Sequence, residues 1–374
     1  MKIHIQRDKF APLFSLISNF TSTKDLRPAI QNVKLIANES NVILMATDGD
    51  VGARGEINVD ESFVIDRTGE AILPAKLLGK IFSETTDSDI LLELESGRLT
   101  VKGARFHYQL DTIADVDSFP TVNPFQETDC FKLPVDSLNR MIARTLFATE
   151  VNNAHYELSG VKFLFEKELV TAIATDGRRL ACQQYASEYL PAGQDGGEFE
   201  EKSAIFPTKT LNLVKRSTSF ADEAKIAIQN DRASIQLGNV VISTNLISGR
   251  FPDWNTILPD KSKNKRVDFI ASELARAVRQ ADIVATEDKP GVSLSFESGK
   301  VRVTAAGDAT GESSVELPIS YDYEPSQLRF DSKFLNDFFR EAPPDETVAF
   351  YFADDFRSLF ETNDGYRYVV MQLS

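Results

Sequence analysis

The hydrophobic and polar positions of this chain follow one pattern three times. Each copy reads as a strand, a polar turn, a second strand and a turn of small residues: QNVKLIANESNVILMATDG from Gln31, SGVKFLFEKELVTAIATDG from Ser159 and PGVSLSFESGKVRVTAAGD from Pro290. The tripeptide Thr47–Gly49 matches Thr175–Gly177, and Thr304 takes the same place in the third copy, at spacings of 128 and 129 residues. A constant spacing of that size indicates duplicated domains rather than a short-repeat solenoid.

Each copy also contains two helix signals. The first precedes the strands, in DKFAPLFSLISNF, VDSLNRMIARTLF and ASELARAVRQADI, and the second lies in ILPAKLLGKIF, IFPTKTLNLVK and RFDSKFLNDFF. Apolar residues recur there at helical spacing, and segments such as ILLELES and RLTVKGA alternate with period two. We therefore predict an α+β fold of three domains, residues 1–127, 128–262 and 263–374, each with two helices packed on antiparallel sheets. Duplication on this scale is typical of symmetric or pseudo-symmetric assemblies.

Positive charge is concentrated in the predicted helices, although the chain as a whole is acidic. The formal net charge is −15, which by itself argues against a nucleic-acid binder. The six predicted helix windows nevertheless carry a net charge of +5, and the rest of the chain carries −20. Arg140 and Arg144 are four residues apart and lie off the apolar stripe, so we expect both to project from the sheet. Lys209 and Arg276 follow the same pattern.

Two interpretations of these basic residues stay open. They form either an ordinary solvated helix face or a surface that jointly faces phosphate. An acidic exterior around a weakly basic lining suits a protein that encloses DNA with few, sequence-independent phosphate contacts.

Motifs for catalysis are missing from the sequence. It contains no G-x-x-x-x-G-K or G-x-G-x-x-G run, and its histidines (His4, His107 and His155) are scattered. Acidic pairs such as Asp48 and Asp50 fall at predicted turns, where aspartate commonly organises the backbone. We therefore expect no catalytic residue, metal or cofactor.

The cysteine content and hydropathy indicate the compartment. Only Cys130 and Cys182 occur, far apart and without a zinc-like spacing. No apolar run approaches the roughly 18 residues of a membrane span. We expect a reduced, cytoplasmic protein without membrane association.

Three runs resemble a known family: ATDGRRLA at residues 174–181, GRFPD at 249–253 and YVVM at 368–371. They are similar to motifs of the beta subunit of bacterial DNA polymerase III, and the resemblance covers the whole chain. It implies a non-enzymatic sliding clamp in which two copies close head-to-tail into a ring around duplex DNA. It also implies partners: the polymerase III alpha subunit, an ATP-dependent clamp loader, and other DNA polymerases and repair proteins near the nucleoid.

The resemblance also places three sets of residues. A peptide-docking site is expected at Leu158, Thr175, Gly177, Arg178, Arg179, Leu180, Pro252, Ile257, Ser358, Val369, Val370 and Met371. DNA is expected to face Lys24, Arg27, Lys76, Arg140, Arg144, Lys209 and Arg276. The contact between the two copies is expected at Phe106, Tyr108, Ile283 and Val284.

The chain departs from the family pattern at the rim of the docking site. Many members have histidine where Arg178 stands, and the ending Met371–Ser374 lacks the familiar proline and terminal basic residue. We expect client peptides with a glutamine and downstream leucine or phenylalanine anchors.

Two other classes of protein remain as alternatives. A three-domain peptide-binding adaptor would share the docking site but would not encircle DNA. A hydrolase or nucleotide-binding enzyme is disfavoured by the missing motifs. Retention on closed circular DNA, with loss after linearisation, separates the clamp from the adaptor.

Overall fold

The computed structural model describes residues 1–22, 25–60, 63–113, 115–126, 129–151, 155–191, 199–286, 291–353 and 356–373. Within this part of the chain there are six α-helices: α1 Arg7–Ser18, α2 Ala75–Glu84, α3 Val135–Leu146, α4 Thr208–Ser217, α5 Ala271–Asp282 and α6 Ser332–Glu341. All six lie at the predicted helix segments. Each begins within one residue of the end of a strand, so the unit of the repeat is a strand running directly into a helix.

The described residues also form 26 β-strands. They are β1 Lys2–Gln6, β2 Val33–Ala37, β3 Asn41–Thr47, β4 Val51–Asn58, β5 Phe63–Arg67, β6 Gly69–Leu73, β7 Asp89–Glu95, β8 Arg98–Lys102, β9 His107–Asp111, β10 Cys130–Pro134, β11 Gly160–Phe165, β12 Leu169–Thr175, β13 Arg179–Ala186, β14 Glu188–Leu190, β15 Lys202–Pro207, β16 Glu223–Gln229, β17 Arg232–Leu237, β18 Val240–Asn245, β19 Lys265–Ile270, β20 Val292–Glu297, β21 Lys300–Gly307, β22 Gly311–Pro318, β23 Ser326–Phe330, β24 Thr347–Phe352, β25 Arg357–Glu361 and β26 Arg367–Met371.

These strands form four antiparallel sheets in the described part of the chain. Their orders are β5-β1-β7-β8-β9, β14-β10-β16-β17-β18-β4-β3-β2-β6, β15-β11-β12-β13-β26-β25-β24-β19 and β22-β21-β20-β23. The nine-stranded sheet joins strands of the first and second repeats through the β4–β18 pair. The eight-stranded sheet joins strands of the second and third repeats through the β13–β26 pair. Antiparallel sheets with few helices confirm the predicted α+β class.

The chain divides into two compact units that follow the sheets. Met1–Asn139, Ser187–Glu200 and Lys209–Leu246 form one unit, with the five- and nine-stranded sheets. Arg140–Ala186, Glu201–Thr208 and Ile247–Ser374 form the other, with the eight- and four-stranded sheets. Because each large sheet spans two repeats, these units do not follow the sequence period. The domain boundaries after residues 127 and 262 therefore stay predictions.

Aromatic and aliphatic residues at helical spacing hold the helix pairs together. In the first unit, the Phe82 ring of α2 packs edge-on against Phe10 and Phe14 of α1, with centroids 5.6 and 5.4 Å apart. In the second unit, α5 packs against α6 and buries Leu274 and Val278 completely or nearly so. Burying each such side chain contributes roughly 1.5–3 kcal/mol, which stabilises the helices against the sheets.

Candidate functional site

The Thr-Asp-Gly tripeptide builds a turn that fixes the end of β12. Thr175 Oγ1 donates to the Arg179 carbonyl at 2.6 Å, and Asp176 Oδ1 accepts from the amides of Arg178 and Arg179 at 3.0 Å each. Gly177 has a φ of +83°, a conformation that costs glycine little and other residues more. Threonine and aspartate thus stabilise the turn through hydrogen bonds to the main chain, and glycine allows its positive φ.

The first repeat forms the same turn with the same hydrogen bonds. Thr47 Oγ1 donates to the Val51 carbonyl at 3.0 Å, and Asp48 Oδ1 accepts from the amides of Asp50 and Val51 at 3.0 Å each. The sequence match between these tripeptides therefore reflects one local structure that occurs twice.

Strand register brings the predicted docking residues of the second and third repeats together. Leu180 of β13 lies opposite both Thr175 of β12 and Val369 of β26. On the same strands, Arg179 lies opposite Val370, which in turn lies opposite Ser358 of β25. The Met371 amide donates to the Arg178 carbonyl at 2.9 Å.

The apolar side chains of this site form one cluster. Leu158, Leu180 and Val369 are buried in it, and Ile257 packs against its edge. Sequence reasoning missed further members of the same cluster: Ile173, Cys182, Ile205, Ile247, Phe251, Trp254, Tyr351 and Leu359. Phe251 lies within the GRFPD run, and Trp254, the sole tryptophan, follows that run directly. This run was therefore the sequence signal that could have identified both as members of the cluster.

Exposure divides the predicted docking residues into a floor and a surface. Leu158, Thr175, Leu180 and Val369 are buried and form the floor. Arg179, Ser358 and Val370 are buried too, but they alternate with Leu180, Leu359 and Val369 along their strands and therefore face the other side of the sheet. The residues that face solvent are Gly177, Arg178, Pro252 and Met371, and Ile257 is half-buried. A bound peptide would therefore contact the solvent-facing residues first.

Arg179 is held on the α6 side of the sheet by two carboxylates and two rings. Its guanidinium donates to Asp176 at 2.9 Å and to Asp337 of α6 at 2.7 Å. It lies over the rings of Phe334 and Phe147, 4.3 and 5.3 Å from their centroids. Burial alone would lower the pKa of Arg179, but Tyr368 and these carboxylates outweigh it and the pKa is raised. Arg179 therefore ties the Thr-Asp-Gly turn to α6.

The expectation that Arg144 projects from its helix toward phosphate is wrong. Its side chain is buried, and it donates to Gln183 and Asp364 at 2.6 Å each and to the Glu341 carbonyl at 3.3 Å. It also lies 4.9 Å from the centroid of the Tyr366 ring. Desolvation would raise the pKa of Asp364, but hydrogen bonds from Thr362 and Arg144 outweigh it and the pKa is lowered. The Arg144 guanidinium therefore binds groups of the protein itself rather than projecting toward phosphate.

The chain ending at the rim is fixed by main-chain hydrogen bonds. The Gln372 amide donates to the Phe356 carbonyl at 2.8 Å, and the Leu373 amide donates to the Arg329 carbonyl at 2.7 Å. The departure from the family ending thus lies on an ordered extension of β26.

Most of the other basic residues expected to face DNA are exposed. Lys76 of α2, Arg140 of α3, Lys209 of α4 and Arg276 of α5 all face solvent. Lys209 is paired with Asp48. Arg27 is paired with Asp25 at 2.8 Å, and Lys24 lies outside the described residues.

Sequence reasoning missed Lys333, which occupies the same place as two of these lysines. Lys76, Lys209 and Lys333 are each the second residue of α2, α4 and α6, and all three are exposed. The repeat alignment was the signal that could have found it.

The residues expected at the contact between copies lie beside two sheet edges. Tyr108 on β9 is exposed, and its ring centroid is 5.5 Å from that of Phe106. Ile283 directly follows α5 and is 79% exposed, and Val284 is half-buried. In the described part of the chain, β9 and β22 are each the terminal strand of a sheet. Ser313 of β22 donates to the Ala281 carbonyl at 2.7 Å, which places the end of α5 against this edge.

The described residues contain neither a metal-binding cluster nor a membrane-spanning helix. No three or more His, Cys, Asp or Glu side chains there are placed to share a metal ion. Nor does any helix among them have the length and apolar character that a bilayer span requires.

Solved structures share this fold along the whole chain. A DNA polymerase sliding clamp from Bacillus subtilis superimposes with a TM-score of 0.91 at 19% identity, covering 100% of this chain and 99% of that one. The DNA polymerase III subunit beta from Pseudomonas aeruginosa gives a TM-score of 0.88 at 24% identity, covering 100% of both chains. The fold is therefore that of a sliding clamp.

Sequence comparison gives the family. The family profile for the DNA polymerase III beta subunit, N-terminal domain, matches residues 1–123, and that for the central domain matches residues 132–253. A beta sliding clamp from Haemophilus influenzae is 27% identical over 339 residues, which cover 90% of this chain and 89% of that protein. The chain belongs to the DNA polymerase III beta-subunit family, as its sequence motifs predicted.

Proposed function

We propose that this chain is a sliding clamp that closes head-to-tail with a second copy into a ring around duplex DNA. In that ring it tethers a replicative polymerase for processive synthesis. Because its family consists of clamps, it acts as a processivity factor and has no catalytic activity of its own.

The observation that carries ring closure is the pairing of equivalent strands. By position in the repeat, β4, β13 and β22 are equivalent, and so are β9, β18 and β26. Within the described chain β4 pairs with β18 and β13 pairs with β26, so each first-type strand pairs with a last-type strand of the next repeat. This leaves β22 and β9 at sheet edges. The same pairing between two copies would join a four- and a five-stranded sheet into one of nine strands.

Head-to-tail pairing explains why these edges are tolerated. An open edge exposes unpaired backbone donors and acceptors and invites uncontrolled association. A heterologous contact uses two different patches and closes into a ring when the rotation permits. Exposed Ile283 beside β22, and exposed Tyr108 on β9, supply apolar area for that contact. The adaptor alternative offers no reason for two matching edges.

The enclosed DNA would meet a weakly basic surface. We propose that the hole is lined or rimmed by Arg27, Lys76, Arg140, Lys209, Arg276 and Lys333. Lys24, which lies outside the described residues, is included on the sequence prediction alone. Because phosphate contacts carry no sequence information, each contributes a small, salt-sensitive attraction. Arg144 contributes none, since its guanidinium is bound within the protein.

The polymerase would dock at the site built on β13 and β26, through an extended client peptide. Leucine or phenylalanine anchors would pack against Pro252, Ile257 and Met371 above the apolar cluster. Micromolar affinity requires about −8 kcal/mol, and a fully buried anchor supplies roughly 1.5–3 kcal/mol. Two anchors plus backbone hydrogen bonds are therefore needed.

Calorimetry with a peptide carrying glutamine, leucine and phenylalanine tests the docking site. Deleting Met371–Ser374 removes an exposed apolar side chain and the amides that order this rim, so binding should fall below detection. Removing Ser374 alone is the matched control and should leave the affinity unchanged. Full affinity in the four-residue truncation would place client docking elsewhere.

The remaining partners follow from the clamp role. We propose that an ATP-dependent loader opens the ring, and that the polymerase III alpha subunit, other DNA polymerases and repair proteins share the docking site. The clamp would work in the cytoplasm at the nucleoid.

A further inference from the structure

A cavity of about 300 Å³ lies in the first unit, beside the join of β4 and β18. Its walls are the turn from Thr47 to Gly52, the segment from Pro120 to Pro124, and the neighbouring strands β16, β17 and β18. None of these residues belongs to the docking site proposed above.

Register places this cavity at the position of the proposed docking site, one repeat earlier. The pair Val51 and Thr244 stands where Arg179 and Val370 stand, and the pair Gly52 and Ser243 stands where Leu180 and Val369 stand. The run FPTV at residues 119–122 likewise corresponds to FPDW at 251–254. The two sites therefore occupy equivalent positions in neighbouring repeats.

The copies differ in chemistry, because small and polar residues replace apolar ones. Gly52 replaces Leu180, and a Cβ added at Gly52 would lie 2.9 Å from the Val122 side chain. Ser243 and Thr244 replace the two valines, and Asn245 replaces Met371. Where Val369 and Met371 would bury leucine or phenylalanine, the cavity presents the Ser243 hydroxyl and the Asn245 amide. The Thr244 hydroxyl is buried and bonded to Thr210.

Several polar groups of this cavity have no partner among the described residues. The hydroxyls of Ser234 and Ser243 lie on directly opposed positions of β17 and β18, both half-buried, and neither makes a hydrogen bond there. The exposed carboxylate of Asp50 at the mouth makes neither an ion pair nor a side-chain hydrogen bond in that same part of the chain. Asp50 also stands where Arg178 stands in the docking site, so the charge at this position is reversed. The other charged residue of the lining is the exposed Arg232 at the start of β17.

We propose that this cavity is a second peptide-docking site, selective for a polar side chain next to a basic one. An inserted glutamine or asparagine amide would hydrogen-bond to Ser234 and Ser243, and a lysine or arginine would pair with Asp50. The occupant is a further segment of the clients that dock at β13 and β26, and in that respect the proposal rests on the proposed function.

Methyl NMR of the full-length protein tests this site separately from the first. Val51 and Val122 report on the cavity, and Val369 and Val370 report on the docking site at β26. The probe is acetyl-Gln-Lys-amide, with acetyl-Leu-Lys-amide and acetyl-Gln-Glu-amide as matched controls. A peptide carrying Gln, Leu and Phe, read at Val369 and Val370, tests the proposed function independently.

The probe should shift the Val51 and Val122 signals in a saturable manner at millimolar concentration, and each control should bind about tenfold more weakly. Asp50→Lys reverses an exposed charge, and Ser243→Val restores the apolar residue of the other copy. Each variant should weaken the probe about tenfold while leaving the Val369 and Val370 response to the apolar peptide intact. Asp50→Lys alone decides the matter if Ser243→Val does not fold. No saturable shift at Val51 and Val122, or shifts unchanged in Asp50→Lys, would overturn the proposal.

Discussion

Arg140 and Arg144 lie four residues apart on α3, yet they have opposite environments. The sequence predicts both as surface cations because both fall off the apolar stripe. In the structure Arg140 is exposed, but Arg144 is buried against Asp364, 220 residues further along the chain. Helical periodicity describes one element and contains no information on a distant carboxylate, so this error could not be avoided from local pattern.

Arg179 offers a direct test of the buried ion network. Arg179→Ala leaves Asp337 with Arg340 as its remaining partner and Asp176 without its guanidinium partner, and removing one member of a buried ion pair costs about 3–5 kcal/mol. Urea unfolding at fixed protein concentration should show a loss of that size. The neighbouring exposed Arg178→Ala is the control and should change stability by less than about 1 kcal/mol. Equal small losses in both variants would mean that the network contributes little.

Asp364 makes the stability depend on pH. Its pKa is lowered in the folded protein, so it contributes stability above its unfolded pKa of about 4, and that stability is lost as the pH falls through the folded value. Asp364→Asn should therefore lower the free energy of unfolding at neutral pH. Unfolding titrations between neutral and strongly acidic pH should show the gap to the unmodified protein narrowing below about pH 4. A gap that is constant with pH would exclude this linkage.

At the level of elements, the sequence predicted most of what local periodicity determines. All six helix segments and the strands β7, β8 and β9 are present. It did not predict that β4 pairs with β18 and β13 with β26, because strand neighbours so far apart in sequence leave no periodic signal. For the same reason it placed Leu180 and Val369 in one site only through the family resemblance.

Edge pairing between copies is tested at the exposed isoleucine beside β22. Ile283→Glu puts a charge into the proposed contact and should convert dimers to monomers in analytical ultracentrifugation. Since Ile283 is 79% exposed in one chain, the fold itself should be unaffected. Val151→Glu, at a residue 82% exposed, is the matched control and should remain dimeric. An Ile283→Glu protein that stays dimeric would remove this edge from the contact.

At the level of the whole molecule, the net charge of −15 does not describe how charge is distributed along the chain. Exposed basic residues recur at equivalent positions of α2, α4 and α6, while the acidic excess lies outside the helices. A repulsive exterior with a weakly attractive lining would let a ring slide, because retention then depends on topology rather than on affinity. Composition alone cannot reveal this segregation, whereas the repeat alignment does.

Encirclement of DNA is the central property of the proposed clamp. The protein should be loaded by a clamp loader with ATP onto a nicked circular plasmid and separated by gel filtration at a salt concentration that screens phosphate contacts. We expect the protein to stay with the circular DNA and to be lost after a single restriction cut, and Ile283→Glu never to be retained. Equal retention on circular and linear DNA would contradict encirclement and show that the protein holds DNA by affinity.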